Sequence, residues 1–231
     1  MKVIVAQDLL EANDGIAGRN RLRWDSLGTL VVNLISAPGA GKTTLLEQVL
    51  EDVSRDLAVG VIEGDIYTCR DAERIARLKV ATVQINTKGA CHLDAGMIER
   101  AWQELELQCG KRLDLLFIEN VGNLVCPAEF DLGEDIKVAL LSVSEGSDKP
   151  AKYPLVFHQA QACVLTKVDL LPYTDFDLGA ARQEIFGLNP KVAMFATSAK
   201  TGEGVEDFCR WLRQQVQVKR EKKQDYDQRQ G

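Results

Sequence analysis

The chain has 231 residues, of which 45% are hydrophobic and 27% charged, with a formal net charge of −6. That balance is enough for one well-buried core, and its acidity argues against a general nucleic-acid binder, which carries a basic face. No run approaches the roughly 18–20 apolar residues that cross a membrane, and the opening MKVIVAQDLLEANDG has acids too early for a secretory signal, so a cytoplasmic protein with no membrane or nucleic-acid partner is expected.

Residues 1–29 read as a polar lead-in, helical around Asp8–Arg21. Apolar, β-rich runs then alternate with helical patterns. The runs are Leu30–Ile35, Val59–Ile62, Ala81–Ile85, Leu113–Ile118, Val138–Val143, Ala162–Leu165 and Val192–Ala196. Helices are expected near 43–54, 68–78, 92–108, 176–187 and 204–218. In the third of these, Leu93, Met97, Ala101 and Leu105 recur every four residues and define one apolar face. Strands alternating with helices predict an α/β fold, a mostly parallel sheet of seven to eight strands covered on both faces. Residues 30–218 form one unit, since no Pro/Gly/Ser linker divides them. Residues 219–231 are highly charged without apolar period and are expected to fray as a flexible tail.

The first apolar run leads into SAPGAGKTT at 36–44, followed by a helical pattern. Strand, Gly-rich loop, GKT and helix is the context of a phosphate-binding loop. Gly39 and Gly41 let backbone N–H groups converge, and the helix N-terminus adds partial positive charge. Pro38, Gly39, Ala40, Gly41, Lys42, Thr43 and Thr44 are therefore expected to cradle phosphates, with Lys42 on the β- and γ-phosphates and Thr43 on Mg²⁺. The loop departs from the general pattern at its first position, where Ser36 replaces Gly. Asp65 and Glu119 close the second and fourth runs, where ligands collect in open α/β sheets. Together with Lys42 they are the expected catalytic set, and with Thr43 the expected Mg²⁺ ligands. Asp71 reads equally well as a helix cap. Gly122 sits where a γ-phosphate-sensing backbone N–H would lie.

The sixth run ends in TKVD (166–169) and the seventh in ATSAKTGEG (196–204). TKVD is similar to the guanine-reading NKxD of small GTPases, with Asp169 accepting from guanine N1–H and N2–H₂ and the Lys167 stem lying across the base. Thr166 in place of Asn is expected to bridge to the phosphate loop less well. Ser198, Ala199 and Lys200 resemble the segment whose backbone N–H donates to guanine O6.

The stretches ENVGNLVCP (119–127), SAPGAGKTTLLE, VIEGD, KGACH (88–92) and SEGSDKPAKYP (144–154) closely resemble the HypB family over residues 8–216. These are GTPase accessory proteins for nickel insertion into nickel–iron hydrogenase, within a branch of P-loop NTPases that dimerises across the nucleotide face. The resemblance implies a GTP-promoted homodimer, hydrogenase maturation proteins and the hydrogenase large subunit as partners, GTP/GDP, Mg²⁺ and Ni²⁺ or Zn²⁺ as cofactors, and a metal site at Cys91, His92 and Cys126. Soft thiolate with imidazole suits Ni²⁺ or Zn²⁺. Three ligands leave a coordination position open. Cys91 and His92 are expected at a helix start, where the dipole lowers a thiol pKa.

The other cysteines among the six read as reduced, small buried hydrophobes, with Cys69 close to the Mg²⁺ acids. With two histidines in all and no CxxCGC or His-rich run, one transfer site per subunit is expected and no storage role. No glutamine is placed to orient water, so hydrolysis should be slow, on the order of 10⁻⁴–10⁻² s⁻¹ as in unassisted G proteins. Lys149 and Lys152 could meet a partner subunit's nucleotide. Two other readings are a urease nickel-insertion GTPase, disfavoured by Ala128 after Cys126-Pro127 where that family has Cys-Pro-His, and a nucleotide kinase, which needs no guanine reader.

Overall fold

The seven apolar runs become seven strands: β1 (Leu30–Ser36), β2 (Val59–Asp65), β3 (Ala81–Asn86), β4 (Leu115–Glu119), β5 (Ile136–Ser142), β6 (Ala162–Thr166) and β7 (Ala193–Ala196). The structure is a computed structural model and describes residues 6–65, 70–110 and 112–230. All strand pairs are parallel, in the order β3-β2-β4-β1-β5-β6-β7. Every residue of β1 is buried, as a strand covered on both faces requires. Leu30, Val32 and Leu34 face one helical layer and Val31 and Ile35 the other.

The helices are α1 (Ala6–Leu27), α2 (Lys42–Val53), α3 (Arg70–Ala76), α4 (Ala95–Cys109), α5 (Cys126–Glu129), α6 (Lys149–Lys152), α7 (Pro154–Gln159), α8 (Leu178–Leu188) and α9 (Val205–Gln230), with a 3₁₀ turn at Val168–Tyr173. Leu45, Leu46, Val49 and Leu50 of α2 and Phe208, Leu212 and Val216 of α9 fill one layer. Trp24 of α1 with Ile98, Trp102 and Leu105 of α4, and then α7 and α8, fill the other. Trp24 and Trp102 meet edge to face at 6.0 Å. From central β1 the chain passes to β2 on one side and later to β5 on the other, so the end of β1 is the topological switch point where ligands bind in open α/β sheets.

Three differences from the sequence reading have physical causes. The buried stripe of α4 is Ala95, Ile98, Ala101, Trp102 and Leu105. Leu93 lies before the helix, and Met97 is only half-buried, because the true period is 3.6 rather than four. The short α5, α6 and α7 each carry Pro in the first turn and are too brief to show a period. The expected fraying from residue 219 on gives way to helix: α9 continues to Gln230. Lys219 is buried between Asp25 and Asp135, and Arg220 pairs with Asp114 at 2.7 Å. Among the described residues no helix is long and apolar enough to cross a membrane.

Candidate nucleotide and metal site

At the end of β1 the chain turns through Gly39 (φ 76°) and Gly41 (φ 91°) directly into α2. A side chain at either glycine would be strained, and their freedom lets the loop curl around a cavity of about 470 Å³. Lys42 is buried, and its ammonium donates to Ser36 Oγ at 3.0 Å. Burial pushes its pKa down, against the opposing pull of Glu119 first and of Asp71, Glu63 and Glu145. Ser36 at the unusual first position thus holds the lysine along the loop.

Across the cavity, Thr43 Oγ1 donates to Glu119 Oε1 at 2.6 Å. Burial raises the Glu119 pKa, with Lys42 and the Thr43 bond opposing. Glu63, Asp65 and Asp71 each bring an oxygen within 4.8 Å of the others. Burial, and then the charges of Glu119, Asp65 and Asp71, push Glu63 up to about 8. Glu63 Oε2 and Glu119 Oε2 are buried with no hydrogen-bond partner. Buried orphan carboxylate oxygens beside a threonine hydroxyl fit a hard divalent cation. Arg74 of α3 ties this acidic wall to α2, donating to Glu47, Asp71 and Thr44 Oγ1 at 2.5–3.2 Å. Gly122 lies against the phosphate loop, where a Cβ would sit 2.9 Å from the Pro38 Cα.

A second, mostly apolar cavity of about 260 Å³ adjoins the first and is lined by Thr166, Lys167, Asp169, Thr197, Ala199 and Lys200. Thr166 Oγ1 donates to Ala40 O at 2.6 Å and Lys167 Nζ to Gly39 O at 2.7 Å. The weak bridge expected of Thr166 is therefore a short buried one, because a β-branched hydroxyl at the strand end already points at the loop carbonyl. Ser198 stands behind the cavity: its hydroxyl donates to Asp169 Oδ1 at 2.6 Å and its N–H to Glu203 O. Ala199 and Lys200 line the cavity itself.

The third cluster joins the strap between β3 and α4 to Cys126 at the start of α5. Cys91 Sγ donates to Cys126 Sγ at 3.1 Å and sits 3.7 Å from His92 Nδ1, all three side chains offering ligand atoms within 4.8 Å. The His92 ring stacks on Phe130 at 3.9 Å, and burial lowers its pKa, which favours the neutral ligand form. The hydrogen bond from Cys91, and then burial, raise the Cys126 pKa. The helix-start placement expected of Cys91 and His92 does not hold: α4 begins at Ala95, capped by Asp94, which accepts from the Met97 N–H. Asn123, four residues after Glu119, donates to Cys91 O at 3.3 Å.

All the sequence-predicted nucleotide and metal residues gather at the carboxyl ends of the strands. Cys163 and Cys209 are buried in the core, their thiols pushed up to about 12 by burial. Cys69 lies outside the described residues. Lys149 and Lys152 sit on α6 away from the cavities, Lys152 paired with Asp148 and Lys149 over the Tyr153 ring. Glu63 and Arg74 were not singled out from sequence. For Glu63 the signal was available: it is an acid inside an apolar strand, two residues before Asp65 and hence on the same face. For Arg74 the only local signal is Asp71 three residues before it, because Glu47 and Thr44 are distant in sequence.

Comparison with known proteins agrees with this geometry. The family described as "CobW/HypB/UreG, nucleotide-binding domain" matches residues 30–196. The hydrogenase maturation factor HypB of Azotobacter chroococcum is 50% identical over 213 residues, covering 92% of this chain and 69% of that protein. The hydrogenase/urease maturation factor HypB of Helicobacter pylori is 39% identical over 211 residues, covering 91% and 86%. A crystal structure of HypB from Helicobacter pylori in complex with nickel superposes with a TM-score of 0.86 at 38% identity, covering 90% of this chain and 96% of that one. A P-loop at the switch point of a seven-stranded parallel sheet, with these relatives on either side, places the chain in the HypB family of P-loop NTPases.

Proposed function

We propose that this chain is a GTP-binding, slowly GTP-hydrolysing metallochaperone that delivers nickel during maturation of nickel–iron hydrogenase. The observation that carries the reading is the position of Cys91, His92 and Cys126. They form one soft-ligand cluster, and Cys126 follows on the segment that begins at Glu119 against the phosphate loop.

Residues 30–218 carry both sites, with the helix Ala6–Leu27 as an extension before them and 219–230 as the charged end of the last helix. Lys42 binds the β- and γ-phosphates, and the loop N–H groups from Gly39 to Thr44 hold the phosphate chain. Thr43, Asp65 and Glu119, joined by Glu63, would hold Mg²⁺, which when bound neutralises charge on the β- and γ-phosphates. Asp169, oriented by Ser198, selects guanine, while Lys167 lies along the base and the Ala199 and Lys200 N–H groups face its O6. Gly122 presents its N–H toward the γ-phosphate. Among the described residues no glutamine lines the cavity to orient the attacking water, and turnover stays slow.

Nickel is the cargo. Two thiols and an imidazole suit Ni²⁺ or Zn²⁺ over Mg²⁺ and leave a position for a receiving partner or a second subunit. GTP draws Asp65 and Gly122 inward and promotes a homodimer, while hydrolysis relaxes both segments and releases the metal. The setting is the cytoplasm, and the partners are hydrogenase maturation proteins and the hydrogenase large subunit. The likeness to the hydrogenase/urease maturation factor of Helicobacter pylori favours a second reading, in which nickel reaches urease as well. Deleting the gene separates the two: loss of hydrogenase activity alone, restored by excess nickel, supports the first.

The test is a nickel titration of the full chain without nucleotide, with GDP·Mg²⁺ and with GMPPNP·Mg²⁺, molecular mass being measured alongside. One Ni²⁺ per chain, an affinity that changes with nucleotide and a doubled mass with GMPPNP are expected. The same affinity and mass in all three states would overturn the reading.

A further inference from the structure

Asn120 is 1% exposed, and every polar atom of its side chain is engaged. Its Oδ1 accepts from Val121 N at 3.0 Å and from Leu93 N at 3.2 Å. Its Nδ2 donates to Asn33 Oδ1 at 3.3 Å, and Asn33, on β1, in turn donates to Glu134 Oε1 at 3.0 Å. Glu134 Oε2 accepts from Leu132 N at 2.7 Å. Leu132 lies two residues past Phe130, the ring beneath His92. One buried polar chain therefore ties together the segment leading to Gly122, the strand leading to the phosphate loop, and both sides of His92.

Leu93 receives a second input. Its side chain is fully buried, and a Cβ on Gly64 would lie 2.8 Å from the Leu93 methyls. Gly64 immediately precedes Asp65. The same strap is held to Asp65 directly, since Thr87 N donates to Asp65 O at 2.9 Å. The residue that follows His92 thus touches both segments that border the phosphate cavity, one through Asn120 and one through Gly64. A displacement of 120–122 is passed to Leu93, because a shared carboxamide oxygen cannot keep two N–H donors that move apart.

We propose that Asn120 is a positioning residue that couples the nucleotide cavity to the Cys91/His92/Cys126 cluster, so that the conformation of 120–122 sets the position of His92 through the Leu93 N–H. It borders the phosphate cavity, but its side-chain oxygen and nitrogen are spent on Val121, Leu93 and Asn33. The inference rests on the proposed reading of the two sites, and the test separates the two.

Nickel affinity is measured for the full chain and for Asn120→Ala, each with GDP·Mg²⁺ and with GMPPNP·Mg²⁺. In the parent the two nucleotides should shift the nickel Kd by about tenfold, within the usual range of coupling between sites. In Asn120→Ala the ratio should fall to within about twofold of unity, while GDP affinity and nickel stoichiometry persist. A purely structural role would weaken binding but leave the ratio alone, so an unchanged ratio in the variant overturns the inference. A parent ratio of one overturns it together with the nucleotide-controlled reading of function. Should Asn120→Ala not fold, amide NMR of the parent decides. The Leu93 and Val121 resonances should both shift when GMPPNP replaces GDP in the absence of nickel, and a stationary Leu93 amide overturns the inference.

Discussion

Residues 37–41 and residues 87–94 both lead from a parallel strand to a helix, yet they are held in different ways. The phosphate loop leaves central β1, enters α2 at once, and is pinned from behind by Thr166 and Lys167 on its own carbonyls. The strap leaves β3, an edge strand, and carries Cys91 exposed at the surface. It is held by its own turn bonds, by Thr87 N on Asp65 O, and past the turn by single side-chain bonds from other segments, Asn120 on Leu93 and Asn123 on Cys91. A loop that must present fixed donors to phosphate gains from the first arrangement. A site that must take up and surrender a metal gains from the second, because a few hydrogen bonds at a sheet edge open at lower free energy than a central strand end.

The comparison breaks first at Lys42. If Lys42 is the buried charged donor to phosphate that we propose, removing it costs the energy of charge-assisted hydrogen bonds, so Lys42→Ala should lower GTP affinity by about ten- to hundredfold and abolish turnover. Nickel bound without nucleotide should be unaffected. Fluorescent-nucleotide titration and metal analysis on one sample check both halves.

In the proposed base site Asp169→Asn replaces the carboxylate set opposite guanine N1–H and N2–H₂ by a carboxamide. Guanine preference over xanthine should fall by roughly tenfold or more, read by competition between GDP and XDP. Undiminished selectivity would remove Asp169 from the base site.

Glu63 gives a smaller, pH-dependent effect. Its folded pKa of about 8 stands above the ordinary 4.5, so near neutrality the folded chain keeps a proton that the unfolded chain has released. Stability of the metal-free protein should therefore fall as pH rises from about 4.5 to about 8, the unfolded state binding fewer protons across that window. Binding of a cation to the ionised carboxylate should strengthen over the same range, by at most about tenfold per pH unit. Glu63→Gln should flatten both profiles, measured by thermal melts and Mg²⁺ titration of the nucleotide complex.

The smallest effect is at Thr166. Thr166→Val leaves the buried Ala40 carbonyl without its donor, which should cost about 1–3 kcal/mol and lower Tm by a few degrees for each kcal/mol in a chain of this size. An unchanged melt would mean that the phosphate loop is not pinned from behind.

What was legible in the sequence follows the same division. The strands announced themselves as apolar runs, and the phosphate loop as a local motif whose strand and helix lie beside it. TKVD and SAK were readable as a pair, although the hydrogen bond from Thr166 to Ala40 could not be, since its partners are far apart along the chain. Cys91, His92 and Cys126 were assembled by resemblance, because nothing in local spacing brings residue 126 to residue 91. Asn120 and Asn33 look like ordinary polar residues in sequence, and only the fold makes them one buried chain. The pairing of Lys219 is hidden by the charge density around it, since its partners Asp25 and Asp135 come from distant segments.

The most direct test of the central claim is the absorption spectrum of the full chain titrated with Ni²⁺, compared with Cys91→Ala and Cys126→Ala. Thiolate ligation predicts sulfur-to-nickel charge-transfer bands that saturate at one metal per chain and vanish in either variant while GDP affinity stays within about twofold. Bands and stoichiometry that survive in both variants would contradict the account.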